Sequence, residues 1–280
     1  MTVTASTRVL TLLGDPVGHS ASPEVQNAAF RHAEVDGVYV AVRCGADDLQ
    51  GFMRGLARAG GGGNVTLPHK EKAASLLDVR SDAVRRTGAC NTFWSDDQGR
   101  LHGDNTDVEG FRRALRHFIG GHARGLRVLL LGAGGAGRAA LAALIEEDVD
   151  QVLLYNRTQD RARAVARRIG GPRTRVVPVF RELEGEGFDL VVNATRLGLE
   201  ADDPSPIDVG AMLQRAGAAM DLVYGRHTTA FVRSAENAGV RACDGLEMLV
   251  QQGAASFERW WGREAPVDVM REAVAALQPG

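Results

Sequence analysis

Arg127-Val-Leu-Leu-Leu-Gly132-Ala-Gly134-Gly-Ala-Gly137 is the stretch that decides the fold. Its apolar run, Val128–Leu131, reads as a strand, and Ala136–Glu147 reads as the helix that follows. Between them stands G-x-G-x-x-G, in the strand–turn–helix context that a dinucleotide-binding βαβ unit needs. The first glycine permits the tight turn, the second lets the backbone approach a pyrophosphate, and the third lets helix pack on strand. The free N–H groups and dipole of the helix N-terminus then favour phosphate. The second strand, Val152–Tyr155, ends in Asn156-Arg157-Thr158, with no acid there to accept from a ribose 2′-hydroxyl. Arg157 can instead pair with a 2′-phosphate, and Thr158 can donate to it while capping the next helix. The sequence therefore favours NADP over NAD.

Outward from this unit the chain keeps a βαβα rhythm. Short apolar runs at Val9–Leu13, Val38–Val42, Asn64–Leu67, Val176–Val179, Leu190–Asn193 and Ala218–Val223 read as strands. Segments of helical length lie between most of them, among them Pro23–Ala33 and Arg161–Ile169. The expectation is an α/β protein with largely parallel sheets. Because the fingerprint begins near residue 132, the preceding α/β sequence needs a domain of its own. We expect a first domain over 1–108, completed by C-terminal helices over about 246–280, and a Rossmann-type domain over 109–245. Phe111–Gly125 reads as a connecting helix and loop, and Gly245–Trp261 has the apolar spacing of an amphipathic helix. The four-glycine run Gly60–Gly63 reads as a flexible entry to the next strand, since no helix follows it directly.

Composition excludes several classes. Of 280 residues, 33 are basic and 35 acidic, a near-balance that argues against a nucleic-acid partner. No apolar run approaches the roughly 18 residues of a membrane span, and MTVTASTRV lacks the pattern of a signal peptide. The three cysteines form no CxxC pair, which suits reduced thiols and a cytoplasmic location. The histidines have no metal-ligand spacing, so no metal is expected. No patch stands out as an interface, leaving monomer and homodimer both open. The basic residues comprise 31 arginines and two lysines, Lys70 and Lys72. Arginine does not release its proton at working pH, whereas lysine does, so a proton-transfer step would call on lysine. Lys72 reads as a surface charge.

Polar strings stand where an α/β domain places ligand loops: GDPVGHSASP (14–23), NVTLPHK (64–70), GACNT (88–92) and GDNTD (103–107). Singly, each has a plainer reading: Ser20 and Ser22 as helix caps, Asp104 and Asn105 as turn formers, Asp107 as an N-cap before Val108–His117. Together with GAGGAG, NRT, NAT, DLVYG and DGLEMLVQQ, in this order from residue 14 to 252, they resemble the shikimate dehydrogenase family. The resemblance implies a substrate domain and an NADP domain with the active site in a cleft between them. It implies reduction of 3-dehydroshikimate to shikimate with NADPH, in aromatic amino-acid biosynthesis. By motif position, Ser20 and Ser22 would hold the substrate carboxylate with help from Tyr224. Thr66, Asn91 and Gln252 would bind ring hydroxyls, and Lys70 and Asp107 would be the catalytic pair, Asp107 also touching a substrate hydroxyl. Gly132, Ala133, Gly134, Gly135, Ala136, Asn156, Arg157, Thr158, Arg161, Leu222 and Gly245 match NADP contacts, with Asp82 a further candidate.

The chemistry agrees with these roles. A hydride passes to or from the cofactor, so the protein needs a positioned proton carrier and an orienting lattice of hydroxyl and amide groups. Two features depart from the family. NATSxGM is replaced by Asn193-Ala-Thr195-Arg196-Leu-Gly198-Leu, leaving Arg196 either at the 2′-phosphate or facing solvent. His69, next to Lys70, reads as structural. The alternatives are a quinate or aminoshikimate relative, which the missing acid after the second nucleotide strand disfavours, and a non-catalytic NADP sensor, which Lys70 and Asp107 argue against.

Overall fold

The computed structural model describes residues 3–183, 185–207, 216–225 and 227–276, so the end of the expected 246–280 segment lies outside them. The chain divides into two compact units, residues 1–110 with 249–280, and residues 111–248.

The first unit contains β1 (Arg8–Gly14), α1 (Ser22–His32), β2 (Gly37–Arg43), α2 (Leu49–Arg58), β3 (Gly62–Val65) and α3 (Lys70–Leu76). These are followed by β4 (Val79–Arg80), α4 (Asp82–Thr87), β5 (Thr92–Ser95), β6 (Leu101–Asp104) and the start of α5 (Thr106–Ile119). Its sheet has the order β2-β1-β3-β5-β6-β4. β1 pairs in parallel with β2 and β3, whereas β5 is antiparallel to both β3 and β6. This sheet is therefore mixed, more so than the strand rhythm suggested. Leu13, Leu49, Met53, Val65, Phe93 and Leu101 form part of a core beneath it.

Two expectations change here. The run Gly60–Gly63 is no flexible entry, because Gly62 and Gly63 belong to β3, locked between β1 and β5. A Cβ on Gly61, Gly62 or Gly63 would lie 2.1, 2.5 or 2.3 Å from the carbonyl oxygens of Val9, Phe93 and Thr11. Glycine is needed there for close backbone approach. The helix expected from Val108 begins instead at Thr106, which makes Asp107 its second residue rather than its N-cap.

The second unit contains β7 (Arg127–Leu131), α6 (Gly135–Glu146), β8 (Gln151–Tyr155), α7 (Gln159–Val165), β9 (Thr174–Val177) and β10 (Phe188–Asn193). β11 (Ala216–Asp221), α8 (Ala230–Asn237) and β12 (Arg241–Cys243) follow. All six strands are parallel, in the order β9-β8-β7-β10-β11-β12. Numbered within the unit this is 3-2-1-4-5-6, the doubly wound order in which ligands bind where the winding reverses, between β7 and β10. Leu129, Leu153, Val191, Ala219 and Phe231 are among its core residues. Helix α9 (Leu246–Trp261) begins at the end of this unit and runs into the first, to which α10 (Val267–Ala275) also belongs. No helix among the described residues is long and apolar enough to cross a membrane.

Candidate active site

Lys70 opens α3, and Asp107 lies in the first turn of α5. The Lys70 ammonium donates to Asp107 Oδ2 at 2.5 Å, with the two side chains 17% and 7% exposed. The other carboxylate oxygen accepts from Asn91 Nδ2 at 2.8 Å. Asn91 cannot turn its amide round, because its Oδ1 accepts from the Thr106 backbone N–H at 2.7 Å and the Thr92 hydroxyl at 3.0 Å. Gln252 Oε1 lies 3.5 Å from the same Asn91 nitrogen. The sequence-expected residues Lys70, Asn91, Asp107 and Gln252 therefore form one cluster.

Behind the cluster lies a layer that residue-by-residue reading did not assign. The hydroxyls of Thr92, Thr106 and Ser256 form a triangle with 2.9 Å edges. Asn64 Nδ2 donates to Thr92 and Ser256 at 2.9 Å, and its carbonyl oxygen accepts from the Tyr39 hydroxyl at 2.7 Å. All five residues are buried. The available signal was Ser256 standing four residues after Gln252, which puts the two polar groups on one helix face. A β-carbon on Gly110 would sit 2.5 Å from the Gln252 Cβ, so α5 and α9 meet closely here.

Ser20 lies in the loop from β1 to α1, Ser22 opens α1, and Thr66 directly follows β3, the parallel neighbour of β1. Neither serine caps α1, whose N-cap position belongs to Ala21. Ser20 Oγ accepts from the Ser22 N–H at 3.2 Å and donates to Ser22 Oγ at 3.1 Å. The half-buried Thr66 lies across Gly14, where a Cβ would meet its methyl at 2.4 Å. Among the described residues, no hydrogen bond joins these three to the Lys70 cluster. His69 is buried, with Nε2 2.8 Å from the Cys44 carbonyl. A carbonyl only accepts, so Nε2 carries the proton and His69 pins the loop ahead of Lys70.

In the second unit the three fingerprint glycines have three distinct reasons. Gly132 has φ +106° and no room for a Cβ, which would lie 2.7 Å from the Ala194 carbonyl oxygen. On Gly137 it would fall 2.2 Å from the Gly132 oxygen, so helix and turn are in contact. Gly134 faces open space, with nothing within 4 Å, which is the cradle a pyrophosphate requires. Gly135 and Ala136 begin α6 beyond it. The Ala133 N–H donates to Asn156 Oδ1 at 3.0 Å, tying the turn to the end of β8.

Thr158 sits at the N-cap of α7, but its hydroxyl takes no capping bond. Asn156 Nδ2 instead donates to the Thr158 carbonyl, and Gln159 Nε2 to the Asn156 carbonyl, so side-chain amides hold this turn. Arg157 and Arg161 are exposed. Arg196 is also exposed and acts electrostatically on Asp203. Asp82, exposed on α4, pairs with Arg85. A Cβ on Gly245 would lie 2.4 Å from the Leu222 carbonyl oxygen, and half-buried Tyr224 follows two residues later in the same unit.

Known proteins identify the family. Residues 12–93 match the shikimate dehydrogenase substrate binding domain, 114–247 the shikimate/quinate 5-dehydrogenase family and 245–275 the shikimate 5′-dehydrogenase C-terminal domain. The shikimate dehydrogenase (NADP(+)) of Methanopyrus kandleri is 40% identical, over 98% of this chain and 97% of that protein. The chain belongs to the shikimate dehydrogenase family. Among solved members, the Aquifex aeolicus shikimate dehydrogenase superposes with a TM-score of 0.89 at 33% identity, covering 98% of this chain and 99% of that one. The Thermus thermophilus enzyme, solved with NADP(H) and shikimate, gives 0.85 at 39% identity, covering 96% and 98%.

Proposed function

We propose that the chain catalyses the reversible, NADP-dependent reduction of 3-dehydroshikimate to shikimate, a step of aromatic amino-acid biosynthesis. The observation that carries this reading is the sheltered Lys70–Asp107 pair, backed by Asn91 and Gln252, on a chain of the shikimate dehydrogenase family. When bound, the cofactor supplies or accepts the hydride.

The proton is the task of this chain's own residues. The Lys70 ammonium has three N–H bonds and gives one to Asp107, so two remain for a substrate oxygen. In our reading Lys70 protonates the developing alkoxide, and Asp107 orients it while accepting a neighbouring substrate hydroxyl. Asn91, Thr66 and Gln252 supply amide and hydroxyl partners to the ring, and Ser20, Ser22 and Tyr224 take the carboxylate. The first unit is thus the substrate-binding one. The second binds NADP through Gly132, Ala133, Gly134, Gly135 and Ala136 at the phosphates, with Asn156, Arg157, Thr158 and Arg161 toward the adenosine side. Leu222 and Gly245 line its nicotinamide end. We place the enzyme in the cytoplasm as a monomer or homodimer; the free thiols Cys44, Cys90 and Cys243 suit that compartment.

Steady-state assays of shikimate, quinate and aminoshikimate with NADP and NAD test the reading. The highest kcat/KM is expected for shikimate with NADP. Preference for quinate with NAD would move the chain to its quinate relatives, and turnover of no cyclic acid would sink the enzyme reading. Arg157→Ala is expected to raise KM for NADP about tenfold or more while leaving NAD nearly unchanged, the loss of one charge-assisted phosphate contact. Equal effects on both would remove Arg157 from the phosphate site.

A further inference from the structure

Asp221 ends β11 opposite Asn193, its register partner at the end of β10. It is fully buried, and among the described residues no lysine or arginine pairs with it. An unpaired buried carboxylate is costly, and neutral donors offset the cost only when several converge on it. Three do. Asn193 Nδ2 and the Val223 N–H donate to Oδ1 at 2.9 and 3.0 Å, and the Thr229 hydroxyl donates to Oδ2 at 2.6 Å.

Each donor belongs to a different stretch of backbone. Asn193 holds the loop after β10: its Oδ1 accepts from the Thr195 N–H and hydroxyl, its Nδ2 also reaches the Leu197 carbonyl, and its own carbonyl accepts from the Leu222 N–H. Val223 follows Leu222 and accepts from the Gly245 N–H at 3.0 Å. Thr229 caps α8 through the Val232 N–H. One carboxylate therefore sets the loops leaving β10 and β11, and through Val223 the one leaving β12.

We propose that Asp221 is a positioning residue of the NADP site, whose ionised carboxylate fixes the Leu222 and Gly245 backbone against the nicotinamide end of the cofactor. This rests on the nucleotide-site reading given above. Protonation would turn one accepting oxygen into a donor and leave one of the three N–H or O–H groups facing it without a partner. Burial pushes this carboxyl up to about 6, Asp244 adding to the rise and the bonds from Thr229, Val223 and Asn193 opposing it. Cys243 on β12 is the other titratable group that interacts with it, and Arg241 and Glu247 act in turn on Cys243.

The test is direct binding of NADP⁺ to the apo-enzyme by calorimetry, for wild type and Asp221→Asn, at pH 7.5 and pH 5. At pH 7.5 the variant is expected to bind about tenfold more weakly, the equivalent of one charge-assisted hydrogen bond. The ratio between variant and wild type should shrink toward unity at pH 5. The 2′-phosphate also titrates near pH 6, but equally in both proteins, so the ratio is unaffected. A folded variant with wild-type affinity at both values overturns the proposal. Gly134→Val serves as the companion, since its Cβ enters open space in the apo-protein but occupies the phosphate cradle. If Gly134→Val abolishes binding while Asp221→Asn does not alter it, the site stands and the positioning role falls; if neither alters binding, the nucleotide-site reading itself falls. Should Asp221→Asn not fold, wild-type hydrogen exchange decides: protection of the Val223 and Gly245 amides must change between pH 7 and pH 5, and unchanged protection overturns the proposal.

Discussion

Asp107 and Asp221 both lie almost out of solvent, yet among the described residues only Asp107 has a cation against it. Lys70 neutralises Asp107 at 2.5 Å and Asn91 takes the second oxygen. Asp221 has three neutral donors and no such partner among the described residues. The difference fits the role proposed for each. A residue that orients a proton carrier needs that carrier beside it, here an ammonium. A residue that holds loops needs several fixed directions at once, which N–H and O–H donors from separate segments provide.

Removing the cation is the most severe way to break this comparison. Lys70→Ala is expected to lower kcat about 10²–10⁴-fold, the range for one proton-transfer group, with KM for shikimate changed little. A variant retaining wild-type kcat would take Lys70 out of the chemistry. A milder test follows the charge of Asp221 through pH. Its folded-state value, about 6, lies above the ordinary 3.8. A raised carboxyl favours the fold while protonated, so this contribution is complete below about pH 4 and lost as pH rises through about 6. Denaturation of wild type minus Asp221→Asn should accordingly shift by about 3 kcal/mol between pH 4 and pH 8. Parallel stability curves would show that the carboxyl is not raised. The smallest effect tests the neutral donors: Thr229→Val should cost about 1–3 kcal/mol by leaving Asp221 one partner short and α8 uncapped, with Thr229→Ser restoring most of it. Equal stability of all three proteins would mean the hydroxyl does not support the carboxylate.

The two units were unequally legible. The second could be read because G-x-G-x-x-G states its geometry in glycines, and its fully buried parallel strands are plain apolar runs such as Val128–Leu131. In the first, β5 and β6 are four-residue strands, TFWS and LHGD, too short and too polar to show a period. β3 was shifted by two residues because glycine signals flexibility in sequence, while here close packing requires it. Lys70, Asn91, Asp107 and Gln252 could be named from their motifs. The hydroxyls behind them could not, since Thr92 and Thr106 look like ordinary turn or cap residues until chain folding brings Ser256, 164 and 150 residues away, against them. Thr158 failed as a cap because neighbouring amides hold that turn.

The scarcity of lysine makes the Lys70–Asp107 pair unusually open to chemical observation. In a chain of 280 residues, a reagent that acylates side-chain amines has only Lys70 and Lys72 to find. Lys72 is 44% exposed and only loosely paired with Asp47 at 3.7 Å, whereas Lys70 is sheltered. The second acyl group to arrive therefore reports the shelter of the pair, and mass spectrometry of one short peptide carrying both lysines becomes a gauge of how firmly the site is closed over its ammonium.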